Sequence, residues 1–474
     1  MKDNDSILPN DGQKDTLRRY EQSISEGRSE YFGTDELEVV VDYYIQRLKF
    51  QKAKEAVEFG LAQHPGNVML LSKSARICIE NGETERAREL VSGLLEREPG
   101  NRALLFLSGE LELAVGDVAA AKEAFDKVLS GNAQDIDEVC LDIAYVYISK
   151  MLFETALHFL KIGFKANSLN VTLCFELAFC LEQTGATDEA VSVYNHILDQ
   201  NPFSNEAWFN LGMLLFRLED YEKAAEAFDF AFLNGEDDFE ALLHKGHSYF
   251  QANEFDKAIE TYKEYGENTK FDAAFNVYMG ECYEKQSKFE EAMPFYGKAL
   301  ELNPMSIEAW AGMCVCLLEL ERFEQALDVS AKAIAENPDF CDFWIYKAEA
   351  LVNLDRTEDA LLCYKKALEI NPNQGDTYLA LGNMFLDVGD FDQSLASYKK
   401  AVANGDKNIY FKIVDTVIGT HGLNVVQHGF ELTQNSHITV DTNKVIIAVA
   451  LALFFDVCSE AKLDSRFQDF LRLM

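Results

Sequence analysis

The heptapeptide KALELNP at 298–304 returns as KALEINP at 366–372, with KAIAENP midway at 332–338. A spacing of 34 residues used twice in succession points to stacked supersecondary units rather than to one globular core. Anchored on Ala326, steps of 34 reach Ala292, Ala258, Ala224, Ala190 and Ala156 backward, and Ala360 and Ser394 forward. One extra residue near 136 shifts the register, and the ladder resumes at Ala121, Ala87 and Ala53. A second ladder runs twelve residues ahead of the first: Val41, Ala75, Gly109, Ala144, Ala178, Gly212, Gly246, Gly280, Cys314, Ala348 and Gly382. All but Val41 are small. Two short helices approach closely only where both present little side chain, so each period predicts a helical hairpin.

Bulky residues surround these rungs. Trp208, Trp310, Trp344 and Tyr378 sit near the start of a first helix, and Phe228, Tyr262, Tyr296, Tyr364 and Tyr398 follow the alanine by four. They read as knobs against neighbouring helices. Pro65, Pro99, Pro202, Pro304, Pro338 and Pro372 end second helices, and Asn81-Gly82, Gly185 and Gly389-Asp390 mark turns inside hairpins. This ladder of Trp/Leu, Gly/Ala, Tyr/Leu, Ala, Tyr/Phe, Ala and Pro resembles the tetratricopeptide repeat. About eleven units start near 34, 68, 102, 137, 171, 205, 239, 273, 307, 341 and 375; the third is weakest, with Glu112 where an aromatic or leucine is expected.

The resemblance implies an all-α fold, a right-handed superhelical solenoid of stacked helix-turn-helix hairpins. The array is expected over 34–408, behind a polar tail and capping helix at 1–33 that includes Tyr31 and Phe32, and before a helical cap at 409–474. Within the last segment, 409–417, 425–432 and 444–461 read as helices, because the final unit of a solenoid leaves an apolar face to cover. Val445 to Phe455, VIIAVALALFF, is too short to span a bilayer and is either part of the cap or the seam of a homodimer.

Charge and composition narrow the partners. With 43 Lys plus Arg against 80 Asp plus Glu, the surface repels nucleic-acid phosphates and anionic lipid. That acidity either solubilises a large surface or selects a basic partner. The first twenty residues lack the apolar run of a signal peptide, and the ten cysteines form no Cys-x-x-Cys pair; both predict a cytoplasmic chain with cysteines as small core residues. Asn4 and Asn170 begin sequons read as chance matches in an unexported protein.

No phosphate loop, dinucleotide fingerprint, zinc-protease helix or nucleophile elbow occurs, so neither an enzyme nor a cofactor is expected. Glu240, His244 and His247 share a helix face, yet with no supporting pattern around them they read as surface rather than metal ligands. Cys314 occupies a small-residue rung and reads as packing. The working surface is instead the concave groove that the resemblance implies, lined by the non-core positions of first helices. Those positions include Phe106, Tyr145, Phe175, Phe179, Phe209, Met213, Phe216, Arg217, His247 and Phe250, with Glu110, Glu182, Glu206, Glu240, Glu281 and Glu284 around them. Aromatics above an acidic rim suit a protein or peptide segment with apolar anchors and Lys or Arg. The lysine and asparagine clamp of the chaperone-tail binders is not recognisable, and the asparagine ladder of the sugar-transferase relatives is reduced to Asn210. The expected role is a non-catalytic interaction scaffold; the alternative is self-assembly through the C-terminal apolar helix.

Overall fold

Gly109, Gly246, Gly280 and Gly382 stand where an added Cβ would come within 2.5 to 2.6 Å of a ring, that of Phe125, Tyr262, Tyr296 and Tyr398 respectively. In each case the ring belongs to the following helix, sixteen residues on, so the hairpin closes backbone against aromatic face. The alanines of the first ladder are fully buried on the second helix of every hairpin, and Ser394, their last rung, is buried too.

The computed structural model describes residues 11–27, 30–130, 135–235, 239–387 and 391–405; among them are 23 helices and no strand. The chain divides into two compact units, Met1–Leu214 and Leu215–Met474. In the first unit, α1 (Asp11–Glu26) precedes the hairpins α2 (Thr34–Gln46) with α3 (Phe50–Gln63), α4 (Val68–Glu80) with α5 (Thr84–Arg97), and α6 (Arg102–Val115) with α7 (Val118–Leu129). There follow α8 (Ile136–Ile148) with α9 (Phe153–Ala166), α10 (Val171–Gln183) with α11 (Thr187–Gln200), and α12 (Asn205–Arg217), within which the division falls. The second unit continues with α13 (Tyr221–Asn234), α14 (Phe239–Gln251) with α15 (Phe255–Thr269), and α16 (Ala273–Lys285) with α17 (Phe289–Leu302). It ends with α18 (Ile307–Glu319) and α19 (Phe323–Glu336), α20 (Cys341–Asn353) and α21 (Thr357–Ile370), and α22 (Gly375–Asp387) and α23 (Phe391–Asn404).

First helices begin within one residue of the positions read from the repeat. Within a unit, second helices pack on their own first helix and on the next, as α3 does on α2 and α4 and α17 does on α16 and α18, and first helices also touch each other, as α2–α4, α4–α6 and α8–α10 do in one unit and α16–α18 and α18–α20 in the other. Stacked first helices therefore share a face.

Three local devices recur at the period. Side chains of Asn67, Asn101, Asn170, Asp272 and Ser306 accept a backbone N–H from the first turn of the helix that follows, so Asn170 has a structural role as an N-cap. The indole N–H of Trp208, Trp310 and Trp344 donates to the carbonyl of Pro202, Pro304 and Pro338, six residues back. These tryptophans latch the loop to the helix as well as packing. Between the helices of the ten hairpins whose turns are described one residue is left-handed: Gly82, Gly116 and Gly185, and also Leu48, Met151, Glu219, Asn253, Ser287, Glu321 and Asp355, at φ between 55° and 61°.

At the start, α1 packs on α2 through Tyr20, whose ring meets Phe32, Tyr44 and Phe59 edge-on. Arg19 bridges Glu30 and Glu36 with its guanidinium over Phe32. Phe32 is buried, whereas Tyr31 points outward. In the third hairpin, Glu112 is matched by Arg88 of α5, which donates to both carboxylate oxygens at 2.8 and 3.1 Å. The three helices expected after 408, and the apolar run Val445 to Phe455 expected as cap or seam, lie outside the described residues.

Side chains at φ near +60° cost about 1 kcal/mol relative to glycine. Leu48→Gly and Met151→Gly, both at exposed turns, should each raise the thermal midpoint, and their effects should add. Gly246→Ala should lower it, by about 1 to 3 kcal/mol of stability, since the Tyr262 ring has to move. Thermal melts of the three variants test both directions.

Candidate functional site

Within each unit the face shared by first helices includes one repeat position. Asp42, Arg76, Glu110, Tyr145, Phe179, Met213, His247, Glu281, Val315, Glu349 and Asn383 follow each other by 34, or by 35 across the shift. At Asp42, Tyr145 and His247 the residue meets the one 31 further along, on the next first helix. Lys73 bonds Asp42 at 2.5 Å, Tyr145 is hydrogen-bonded to Glu176, and His247 meets the Tyr278 ring edge-on at 4.8 Å.

In the first unit this face changes character along its length. Over α2, α4 and α6 it closes on itself: Lys73 holds Asp42 and Glu38, and Arg76 lies 2.6 Å from Glu110. Over α8 and α10, Tyr145 and Phe179 keep 41% and 39% of their surface exposed. Phe179 touches Phe153 with one edge only, and Phe175 is half-buried beside Tyr194. Phe106 packs edge-on against Phe125 of its own hairpin, and Phe209 and Met213 on α12 are half-buried. Burial pushes the carboxyls of Asp142 and Glu176 above their ordinary range, the Tyr145 hydroxyl pulling Glu176 the other way. Asp137 shows the contrast: side-chain amides of Asn170 and Asn167 each donate to it at 2.8 Å and hold its carboxyl low.

In the second unit, Phe216 and Phe250 each turn onto the aromatic five residues later, Tyr221 and Phe255, at the mouth of their own hairpin. Arg217 is exposed at the end of α12. His244 stacks on Phe228, and His247 Nδ1 lies 2.7 Å from the Tyr262 hydroxyl, between the Tyr262 and Tyr278 rings. The histidine pair is thus packed rather than displayed, and His247 is pushed down to about 4, first by burial and then by His244. Among the described residues no three His, Cys, Asp or Glu side chains gather as a metal site. Cys314 is fully buried and its thiol is pushed up to about 12 by burial, as suits a packing residue.

Beyond His247 the face turns acidic. Glu281 is pushed up to about 7, mainly by burial and then by Glu284 and Glu308; Glu349 is also raised, by burial and by Glu319. Tyr278 and Tyr346 stand half-buried beside these carboxylates. Tyr278, Glu308, Tyr346 and Glu349 are not among the candidates that the sequence suggests. The 34-step from Tyr145 through Glu281 reaches Glu349, and the step from Glu176 through His244 reaches Tyr278 and Tyr346, so the signal is present in the period.

Family models described as tetratricopeptide repeat match residues 44–108, 181–231, 209–273, 243–307, 284–340, 341–374 and 363–396. The chain belongs to the tetratricopeptide repeat family, whose repeats build protein-interaction scaffolds. No curated protein matches it. Similar solved structures include a thermophilic TPR protein of Thermus thermophilus, at 18% identity over 38% of this chain and 99% of that one, TM-score 0.34. Yeast Tom70 is similar at 14% identity over 84% of this chain and 98% of that one, TM-score 0.40. The C-terminal part of a Cytophaga hutchinsonii TPR repeat-containing protein is similar at 15%, covering 51% and 98%, TM-score 0.41. Among the described residues no helix is long and apolar enough to cross a membrane.

The buried histidine gives a signed test. With a folded value near 4 against 6.5 unfolded, the native state refuses a proton that the unfolded chain accepts. Stability from this group is complete above pH 6.5 and is lost as pH falls toward 4. Denaturant midpoints measured between pH 6.5 and 4.5 should fall more steeply for the wild type than for His247→Gln.

Proposed function

We propose that the chain is a non-catalytic scaffold whose first-helix faces bind a protein or peptide segment carrying apolar anchors and basic residues. The observation that carries this is the pair Tyr145 and Phe179, large rings left about two-fifths exposed on adjacent first helices, where the other described first-helix aromatics are covered further. Exposed rings at successive repeats offer anchor sites of the kind that dominate interface energetics. Raised carboxyls at Asp142 and Glu176 beside them lack a cation and favour a ligand that supplies one.

In this reading the repeats of 34–408 form the interaction body, the segments at 1–33 and 409–474 close its ends, and the protein works in the cytoplasm without chemistry of its own. Phe106, Phe175, Phe209, Met213, Phe216, His247 and Phe250 contribute through shape more than as free anchors, since they are half-buried, and Arg217 stands exposed at the edge of this surface.

Selection of a random-peptide display library on the full-length protein should return sequences that combine an aromatic or aliphatic anchor with Arg or Lys. Selected peptides should bind the Tyr145→Ala, Phe179→Ala double variant at least about tenfold more weakly, as expected for two anchor truncations. The thermal midpoint of that variant should stay near the wild type. Equal affinity for both proteins would move the binding surface elsewhere.

A further inference from the structure

The joint between α15 and α16 departs from the plan that the next two joints of the second unit keep. At Pro304 and Pro338 a proline ends the linker from the second helix, and its carbonyl takes the indole N–H of Trp310 or Trp344. The matching residues here are Lys270 and Asn276. Without the proline, α15 runs on to Thr269, and the chain then turns through Lys270 at φ 61° and Phe271 at φ 53°. Among the described residues no other two successive positions are left-handed, and neither of these is glycine. Asn276 turns its side-chain N–H donors back onto the carbonyls of Phe271 and Asp272, at 3.2 and 2.7 Å, and its Oδ1 is buried without a protein donor.

One side chain holds this turn shut. Phe232, Leu300, Ile334 and Leu368 recur at the repeat position that α15 gives to Gly266. An added Cβ there would stand 2.6 to 2.7 Å from the rings of Phe271 and Phe275, so those two rings fill the place over the helix end. Phe275 is buried, whereas Phe271 meets it edge-on at 5.0 Å and keeps 40% of its surface exposed. A strained backbone is thus held closed by a ring that is itself only partly covered. Further along α16, Tyr278 stacks on Tyr262 of α15 at 5.2 Å and meets His247 of α14 edge-on, contacts in which the turn has no share. We propose that 269–276 is a latch on a hinge. Withdrawal of the Phe271 ring from Gly266 lets Lys270 and Phe271 relax to ordinary backbone, and the α16–α17 hairpin then swings on the Tyr262–Tyr278 stack. The second unit bends at this joint, so the angle between α14 and α16 changes, while the proline joints after α17 and α19 hold theirs. The device does not depend on what the first helices bind.

Hydrogen exchange of the full-length protein, followed by mass spectrometry, reads the latch. Amides 275–277 at the start of α16 should be at least about tenfold less protected than 309–311 at the start of α18. Phe271→Ala should speed exchange at 275–277 further, and hasten tryptic cleavage after the exposed Lys270, by about threefold or more in each case, with 309–311 unchanged. Lys270→Gly, which relieves one left-handed side chain and keeps the ring, should slow exchange at 275–277. The hinge is read by pulsed electron paramagnetic resonance, with spin labels carried on unnatural amino acids so that the native cysteines stay untouched. Labels at the exposed Lys257 and Glu291 span this joint, and labels at Glu291 and Gln325 span the next at the same repeat position. The spread of distances should be at least about twofold wider for the first pair and should narrow in Lys270→Gly. The proposal is overturned if 275–277 are as protected as 309–311, or if Phe271→Ala alters neither exchange nor cleavage. Fast exchange with equal spreads for the two pairs would mean a frayed helix end and no hinge, which also overturns it. So would loss of protection throughout α18 to α20 in Phe271→Ala, since the ring would then be core rather than latch.

Discussion

Contact between a helix backbone and an aromatic face is the constraint on which the hairpin geometry depends. At Gly109, Gly246, Gly280 and Gly382 the ring lies where a methyl group would stand, which sets the distance between the two helices of the hairpin. Where the rung is larger, the partner sixteen residues later is free to shrink: Ala75 goes with Val91, Ala144 with Leu160, and Cys314 with Ser330, all buried. Ala178 and Ala348 still take the tyrosines Tyr194 and Tyr364. What never occurs among these pairs is glycine opposite a small residue, which would leave a cavity. The period persists because both members of the pair must be exchanged together for the hairpin to keep its width.

Once that width is fixed, other positions are released from the repeat. The left-handed turn residue is glycine in some hairpins and Leu48, Met151 or Glu321 in others, so packing elsewhere tolerates the backbone cost. Glu112 occupies a position that favours an aromatic and is held by the Arg88 fork instead. A single misfit is absorbed by the adjacent hairpin because each repeat has neighbours on which to place a compensating charge.

Helix starts, small rungs and proline stops are legible in the sequence to within a residue, since all three follow from contacts inside one hairpin or with the next. The face is less legible. Tyr145, Phe216, His247 and Phe250 all read as inward-pointing first-helix residues, but their surroundings differ for reasons a single helix does not carry. Phe216 and Phe250 meet a ring five residues later, where the chain has already turned, and His247 meets Tyr278 on the next first helix. Tyr145 and Phe179 stay open because the residues offered to them leave much of each ring uncovered. Helical periodicity assigns a side; partners past the turn or on the next first helix decide whether that side is filled.

The same rule sorts the charges. Asp42 and Glu110 have cations at hydrogen-bond distance, and Asp137 has two amides, so these acids are settled within the fold. Asp142, Glu176, Glu281 and Glu349 sit on first helices with burial raising each of them and no cation paired to any among the described residues. A chain with 80 acidic side chains has ample open surface on which to solvate a carboxylate. Glu176 and Glu281 are held part-buried on the first helices without a paired cation, beside the rings of Tyr145 and Tyr278, while Asp142 and Glu349 keep more of their surface in solvent. On the partner-binding reading proposed above, the cost of burying a carboxylate without a cation is offset when a segment that brings positive charge and apolar bulk together docks on the face.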